Sequence, residues 1–185
     1  MKKYVKWFVI GTIAVFVGLG IWLFFINREE GAKEIIEYTP GEEITEEQAR
    51  NTIISVYYKN KETGELMPEA RLIDVKLLAN NPYEEILKIL IEGPKSDKLE
   101  KVIPEETVLL GAELKKDTLY INFSNEFINN QKEGVEEEAK TIYSIVNTLT
   151  ELNEVAKVRF LINGEEDKSF KDNGMNFKES FVRVD

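Results

Sequence analysis

The chain has 185 residues, 43% of them hydrophobic, enough for one globular domain with its own core and short for two. It contains no histidine and no cysteine, which excludes Ser-His-Asp and Cys-His nucleophiles, thiolate or imidazole metal sites, and disulfides. The net charge of −10 is uneven: residues 1–26 carry three lysines and no acid, which leaves −13 on the remainder, and such a surface repels phosphate backbones, so no nucleic-acid partner is expected.

Residues 7–26, "WFVIGTIAVFVGLGIWLFFI", form an uncharged run of 20 residues. At about 1.5 Å per residue a helix of this length spans roughly 30 Å, the hydrocarbon thickness of a bilayer. The run is longer than a signal-peptide core and lacks an A-x-A-like cleavage site. The lysines of the 1–6 tail predict a cytoplasmic N-terminus. Trp7 and Trp22 lie near the two ends of the run, where interfacial anchors sit. The expectation is a single-pass anchor in the cell membrane, its partner the bilayer, with everything after it extracytoplasmic. Residues 27–50 are acidic around Pro40-Gly41 and read as a linker, with a capping-box signal in "TEEQ" from Thr45.

The remaining residues, 51–185, make the extracytoplasmic domain, with its core expected over 52–164. "TIISVYY" from Thr52 has the β-branched and aromatic composition of a strand. Thr63-Gly64 turns the chain, and "RLIDVKL" returns as a strand with Ile73, Val75 and Leu77 on one face. A helix follows from Asn81-Pro82 to Gly93-Pro94, presenting Tyr83, Ile86, Leu87, Leu90 and Ile91 along one stripe. "TVLLGAELKKDTLYINFS" reads as a hairpin: Leu110, Ala112 and Leu114 alternate, Lys116-Asp117 turns, and Leu119, Ile121 and Phe123 alternate again. A second helix is expected from Val135 to Leu152 with Ala139, Ile142, Val146 and Leu149 as its stripe. Val158, Phe160 and Ile162 form a last strand, closed by an Asn163-Gly164 hairpin turn, and Phe181–Val184 is a further edge strand. The order β-β-α-β-β-α-β predicts an α+β fold, an open sheet with two helices packed on one face.

No residue pattern points to catalysis, cofactor binding or a metal. The acidic runs lack the ligand spacing of a calcium loop around a glycine; the run at Glu133–Glu138 suits the positive end of the second helix. Asn122-Phe123-Ser124 matches a glycosylation sequon, but a chance match is the plainer reading. Asn147 in mid-helix is either a ligand contact or an amide that ties down the backbone of a neighbouring loop, and the second is preferred because buried amides are normally satisfied. Most aromatic residues sit at core positions. Tyr57, Tyr58 and Tyr120 do not, and they mark the candidate interaction surface. Three functions follow: a tethered scaffold that binds envelope proteins or itself, a cell-wall glycan binder using those tyrosines, or, least favoured, a carboxylate-dependent hydrolase.

Six phrases in order, "VYYKN", "LIEGP", "IPEETVLLG", "LYINFS", "IVNTLTEL" and "VRFLINGEE", together resemble the GerMN domain family of sporulation and spore-germination proteins, over residues 53–164. The resemblance implies a non-enzymatic extracytoplasmic module, similar to the ring-building motifs of secretion systems, that works by protein–protein assembly in the cell envelope. It supplies no catalytic residues to carry over, and it implies neither a cofactor nor a small-molecule ligand. Relatives often carry a lipid anchor and two copies of the domain, whereas this sequence shows a membrane run and one copy.

Overall fold

A computed structural model describes residues 50–171 and 174–184. The tail of residues 1–6, the apolar run of 7–26 with Trp7 and Trp22, and all but the last residue of the 27–50 linker lie outside the described residues. Among those described, no helix is long and apolar enough to cross a membrane.

Strands β1 (Asn51–Asn60) and β2 (Leu66–Asp74) form an antiparallel hairpin running from Asn51 opposite Asp74 to Lys59 opposite Leu66. Gly64 takes the positive φ of 75° that the turn needs, and the Asn60 side chain accepts from the N–H groups of Glu62 and Thr63. The two-residue strand β3 (Leu99–Glu100) pairs with the other edge of β1 at Lys59 and Asn60. Val56, Tyr58 and Ile73 are buried, while Ile53 and its cross-strand partner Leu72 are exposed. Pro68 lies in mid-strand opposite Tyr57, whose N–H turns away from β2 to Thr148. At such a pair the missing proline donor costs no ladder bond, and a proline on the outermost strand blocks further pairing.

The strand expected to continue through Leu77 stops at Asp74. The Asp74 carboxylate accepts from the Lys76 N–H at 2.9 Å and starts a single helical turn, α1 (Val75–Leu78), which leaves Val75 and Leu77 exposed. Helix α2 (Pro82–Glu92) begins and ends as its punctuation predicts: Asn81 caps the Glu84 N–H, Pro82 occupies the first turn, and Gly93 at φ 107° ends it. Ile86, Leu87 and Leu90 are buried from its stripe, with Tyr83 and Ile91 half-buried beside them.

Strands β4 (Leu109–Lys115) and β5 (Thr118–Phe123) form the predicted hairpin. A bulge between Leu109 and Gly111 shifts the register, so Leu110 points outward and is exposed, contrary to the alternation. From β5 the chain crosses through α3 (Glu126–Asn129), a turn the sequence did not suggest, and α4 (Val135–Leu149) to β6 (Lys157–Ile162), which pairs in parallel with β5. Asn163 and Gly164 turn as expected with φ of 50° and 78°, and the Asn122 side chain accepts from the Gly164 N–H. Of the expected terminal edge strand only a bridge between Val158 and Phe181 is present.

The α+β class holds, but the single open sheet does not. Among the described residues there are two three-stranded sheets, ordered β2-β1-β3 and β4-β5-β6, and the two longer helices, α2 and α4, each touch both. The cause is that side chains close the edges a continuous sheet would use. On β1, Thr148 accepts from the Tyr57 N–H at 2.9 Å and Ser144 donates to the Tyr57 carbonyl at 2.6 Å; on β4, Asn81 donates to the Ala112 carbonyl. Accordingly α4 is buried nearly all round, with Thr141, Ser144, Ile145, Asn147 and Thr148 inside as well as its apolar stripe. At the far end of the core five rings, Phe123, Phe127, Phe160, Phe170 and Phe177, pack together.

Candidate functional site

Of the three tyrosines of the candidate interaction surface, Tyr58 belongs to the core instead. It is completely buried, its hydroxyl donates to the Ile89 carbonyl at 2.9 Å, and burial pushes its phenol well above the usual value. Strand alternation places it inward with Val56. Tyr57 points the other way and is half-buried, and the Arg183 guanidinium lies 5.3 Å from its ring centre. Tyr120 lies in the other sheet under the Lys115 ammonium, at 4.9 Å. The structure therefore does not bring the three rings together.

Tyr57 instead belongs to a polar clasp. Its hydroxyl donates to Glu151 at 2.9 Å, while Arg183 donates to the Glu151 carboxylate at 2.6 Å, to the Tyr57 oxygen at 2.7 Å, and to the Asn147 carbonyl at 3.3 Å. This holds the C-terminal segment across the end of α4 and against the first sheet. The same segment is held further along by Glu138, the one buried carboxylate among the described residues, which accepts from the Met175 N–H at 2.8 Å and packs against Gly174, where a Cβ would clash. That carboxylate is engaged structurally, in a groove it shares with Lys132 and Lys171.

A second network fixes β2 to the end of α2. Arg71, buried, donates to the Gly93 carbonyl at 3.0 Å and pairs with Glu69 at 3.3 Å. Glu69 also accepts from the N–H groups of Lys95 and Ser96. Burial alone would raise the Glu69 carboxyl, but those N–H groups and the guanidinium outweigh it and hold it below the usual range. Arg183 likewise holds Glu151 low. A carboxylate whose pKa is depressed by folding stabilises the protein above its unfolded value, and that contribution disappears as pH falls through the folded one. The expected denaturation midpoint is thus level from about pH 7 to 5 and falls below about 4.3, the unperturbed glutamate value, with a shallower fall in Glu69→Gln. Equal slopes for both proteins would contradict the assignment.

Two surface features bear on binding. The first is apolar: Ile53 and Leu72, 69% and 68% exposed, face each other across the hairpin, and α1 adds exposed Val75 and Leu77 directly after β2. Nothing in the sequence pattern singled out this strip, because Val75 and Leu77 look like inward strand positions until Asp74 is seen to cap a helical turn. The second is a groove of about 260 Å³ between α4 and the β1–β2 hairpin, lined by Glu65, Leu66, Glu136, Lys140, Tyr143, Asn147 and others. Asn147 is buried, and its carboxamide oxygen has no hydrogen-bond partner. Among the described residues that oxygen therefore does not make the expected tether to a loop; Arg183 meets the Asn147 main-chain oxygen instead.

Comparison with known proteins agrees with this architecture. Spore germination protein GerM of Bacillus subtilis (strain 168) is 28% identical over 173 residues, 87% of this chain and 45% of that protein, so the chain spans less than half of its curated relative. The first GerMN domain of the sporulation protein GerM from Bacillus subtilis superposes with a TM-score of 0.60 at 25% identity, over 72% of this chain and 99% of that one. The tandem GerMN domains of the same protein give 0.61 at 21% identity, over 74% of this chain and 47% of that one, a likeness of fold. Residues 55–168, more than half of the chain, match the family model described as Germane, sporulation and spore germination, and the chain belongs to that family.

Proposed function

We propose that this protein is a non-enzymatic, membrane-anchored adaptor whose extracytoplasmic domain binds protein partners in the cell envelope, in sporulation or germination. The uncharged run at 7–26 supplies the tether and the acidic domain steers partners with basic patches. The observation that carries the reading is the apolar strip of Ile53 and Leu72 with Val75 and Leu77, on a hairpin whose outermost strand is protected by Pro68 against pairing. Two large aliphatic side chains opposed across a rigid hairpin and left in water are what a docking face presents. The glycan-binding alternative has less support: Tyr58 is in the core, and Tyr57 and Tyr120 lie in different sheets under cations.

The test is crosslinking of the intact chain in mild detergent against identified envelope proteins, with Leu72→Asp as the probe. Both positions of the cross-strand pair are exposed, so the variant folds with stability changed by roughly 0.5 kcal/mol or less. Its capture of a specific partner is expected to fall at least tenfold. A chain that stays monomeric and crosslinks nothing, or a variant that captures its partners undiminished, defeats the reading.

A further inference from the structure

The groove between α4 and the hairpin is a separate surface from the apolar strip. Its apolar lining is Leu66, Ala139 and the exposed Val184, and its charged lining is Glu136 and the ion pair of Lys140 with Glu65 at 3.2 Å. Tyr143 and Asn147, one helical turn apart, face into it. A buried carboxamide oxygen without a partner is costly, and in a folded protein such a group is normally met by water, an ion or a bound ligand. Rotation about the broad two-fold χ2 of asparagine turns acceptor or donor toward the groove. A carboxamide offers one acceptor and donors side by side, the complement of a peptide group.

We propose that this groove docks an extended, basic segment of a partner protein, with Asn147 pairing to one of its peptide groups. Three observations favour a polypeptide. Val184 already lines the groove, so a stretch of this chain's own backbone already lies against this helix face, held there by Arg183 on the Asn147 carbonyl. The volume, about 260 Å³, is below the roughly 300–1,000 Å³ of sites that enclose a small molecule, and it suits a few residues of a longer ligand. The ring of Tyr143 packs perpendicular to that of Phe181 at 6.4 Å, which reduces the aromatic surface the groove offers a sugar. Basic character follows from the rim: Glu136 is exposed in the first turn of α4, with no ion-pair partner among the described residues, whereas Lys140 is already engaged by Glu65. The proposal rests on the adaptor reading only in that its occupant is a protein.

The probe is a capped peptide of alternating lysine and alanine, titrated onto the intact, isotope-labelled chain in detergent. Its glutamate counterpart and N-acetylglucosamine serve as the other arms. The lysine peptide is expected to shift the Asn147 side-chain amide resonance and those of Ala139 and Tyr143. Asn147→Leu should weaken it at least tenfold while leaving the thermal midpoint unchanged or higher, because the orphaned acceptor is gone. Glu136→Lys should weaken the lysine peptide with only the slight loss of stability expected of a reversed charge in the first turn of a helix, and Leu72→Asp should leave peptide binding intact, which separates this site from the apolar strip. The proposal is overturned if no groove resonance moves, if Asn147→Leu binds equally well or unfolds early, if Leu72→Asp abolishes binding, or if N-acetylglucosamine alone occupies the site.

Discussion

Phe127→Ala is expected to lower the free energy of unfolding by about 3–5 kcal/mol, the range for deleting a buried phenylalanine ring. Phe127 is completely buried and stands at the centre of the aromatic cluster, with ring centres at 4.6 Å from Phe123, 6.0 Å from Phe160, 5.6 Å from Phe170 and 6.2 Å from Phe177. Its neighbours come from β5, β6 and the C-terminal segment, so the space left by the ring cannot be filled by moving one element alone. The energy lost therefore includes a cavity contribution as well as transfer of the side chain from water. Phe127→Leu keeps most of the volume and should cost about 1.5 kcal/mol or less if the neighbours repack. Denaturant unfolding of both variants decides the matter: a loss under about 1 kcal/mol for the alanine variant would mean that Phe127 is not the keystone of this end of the core.

Arg71→Ala should be comparably damaging, at about 3–5 kcal/mol, because it strands a buried charge partner. The guanidinium is 6% exposed and the Glu69 side chain 12%, and Arg71 also meets the Gly93 carbonyl that ends α2. Removing it leaves Glu69 desolvated with only the Lys95 and Ser96 N–H groups to hold its charge. The contrast is Glu92→Ala: that carboxylate is 69% exposed and 3.5 Å from Arg71, and its loss should change stability by less than about 1 kcal/mol. The pair of variants separates a buried ionic hinge from ordinary surface charge. If the two cost the same in thermal and denaturant unfolding, the network holds nothing.

The parts of the fold that were legible in the sequence are those governed by local chemistry. Asn81, Pro82 and Gly93 delimit α2 correctly because capping, the fixed proline φ and the positive φ of Gly93 each act within a turn. The Asn163-Gly164 turn and the alternation of Val158, Phe160 and Ile162 read correctly for the same reason. What failed was set at long range. Whether two hairpins share one sheet depends on what closes the edge of β1, and that is done by Ser144 and Thr148, far along the chain. Their hydroxyls look like neutral helix residues in a list of letters. Leu110 read as inward because a bulge leaves no periodic trace, and Tyr58 read as surface because the inward face of β1 could not be fixed without its partners. Asn147 is legible as out of place in a helix, but the lone state of its carboxamide oxygen is a matter of three-dimensional surroundings that leave no trace in the sequence.

The link from the Tyr57 main chain to Ser144 and Thr148 spans 87 and 91 positions, and this dictates an order of assembly. A ribosome delivers β1 and β2 early, and their hairpin closes locally within microseconds. Until residues 144–148 emerge, one N–H and one C=O at the middle of β1 stay unpaired beside Val56 and Tyr58, whose apolar faces are still wet. During synthesis the nascent chain thus carries an open, sticky seam, and it seals only when the crossover helix slots home.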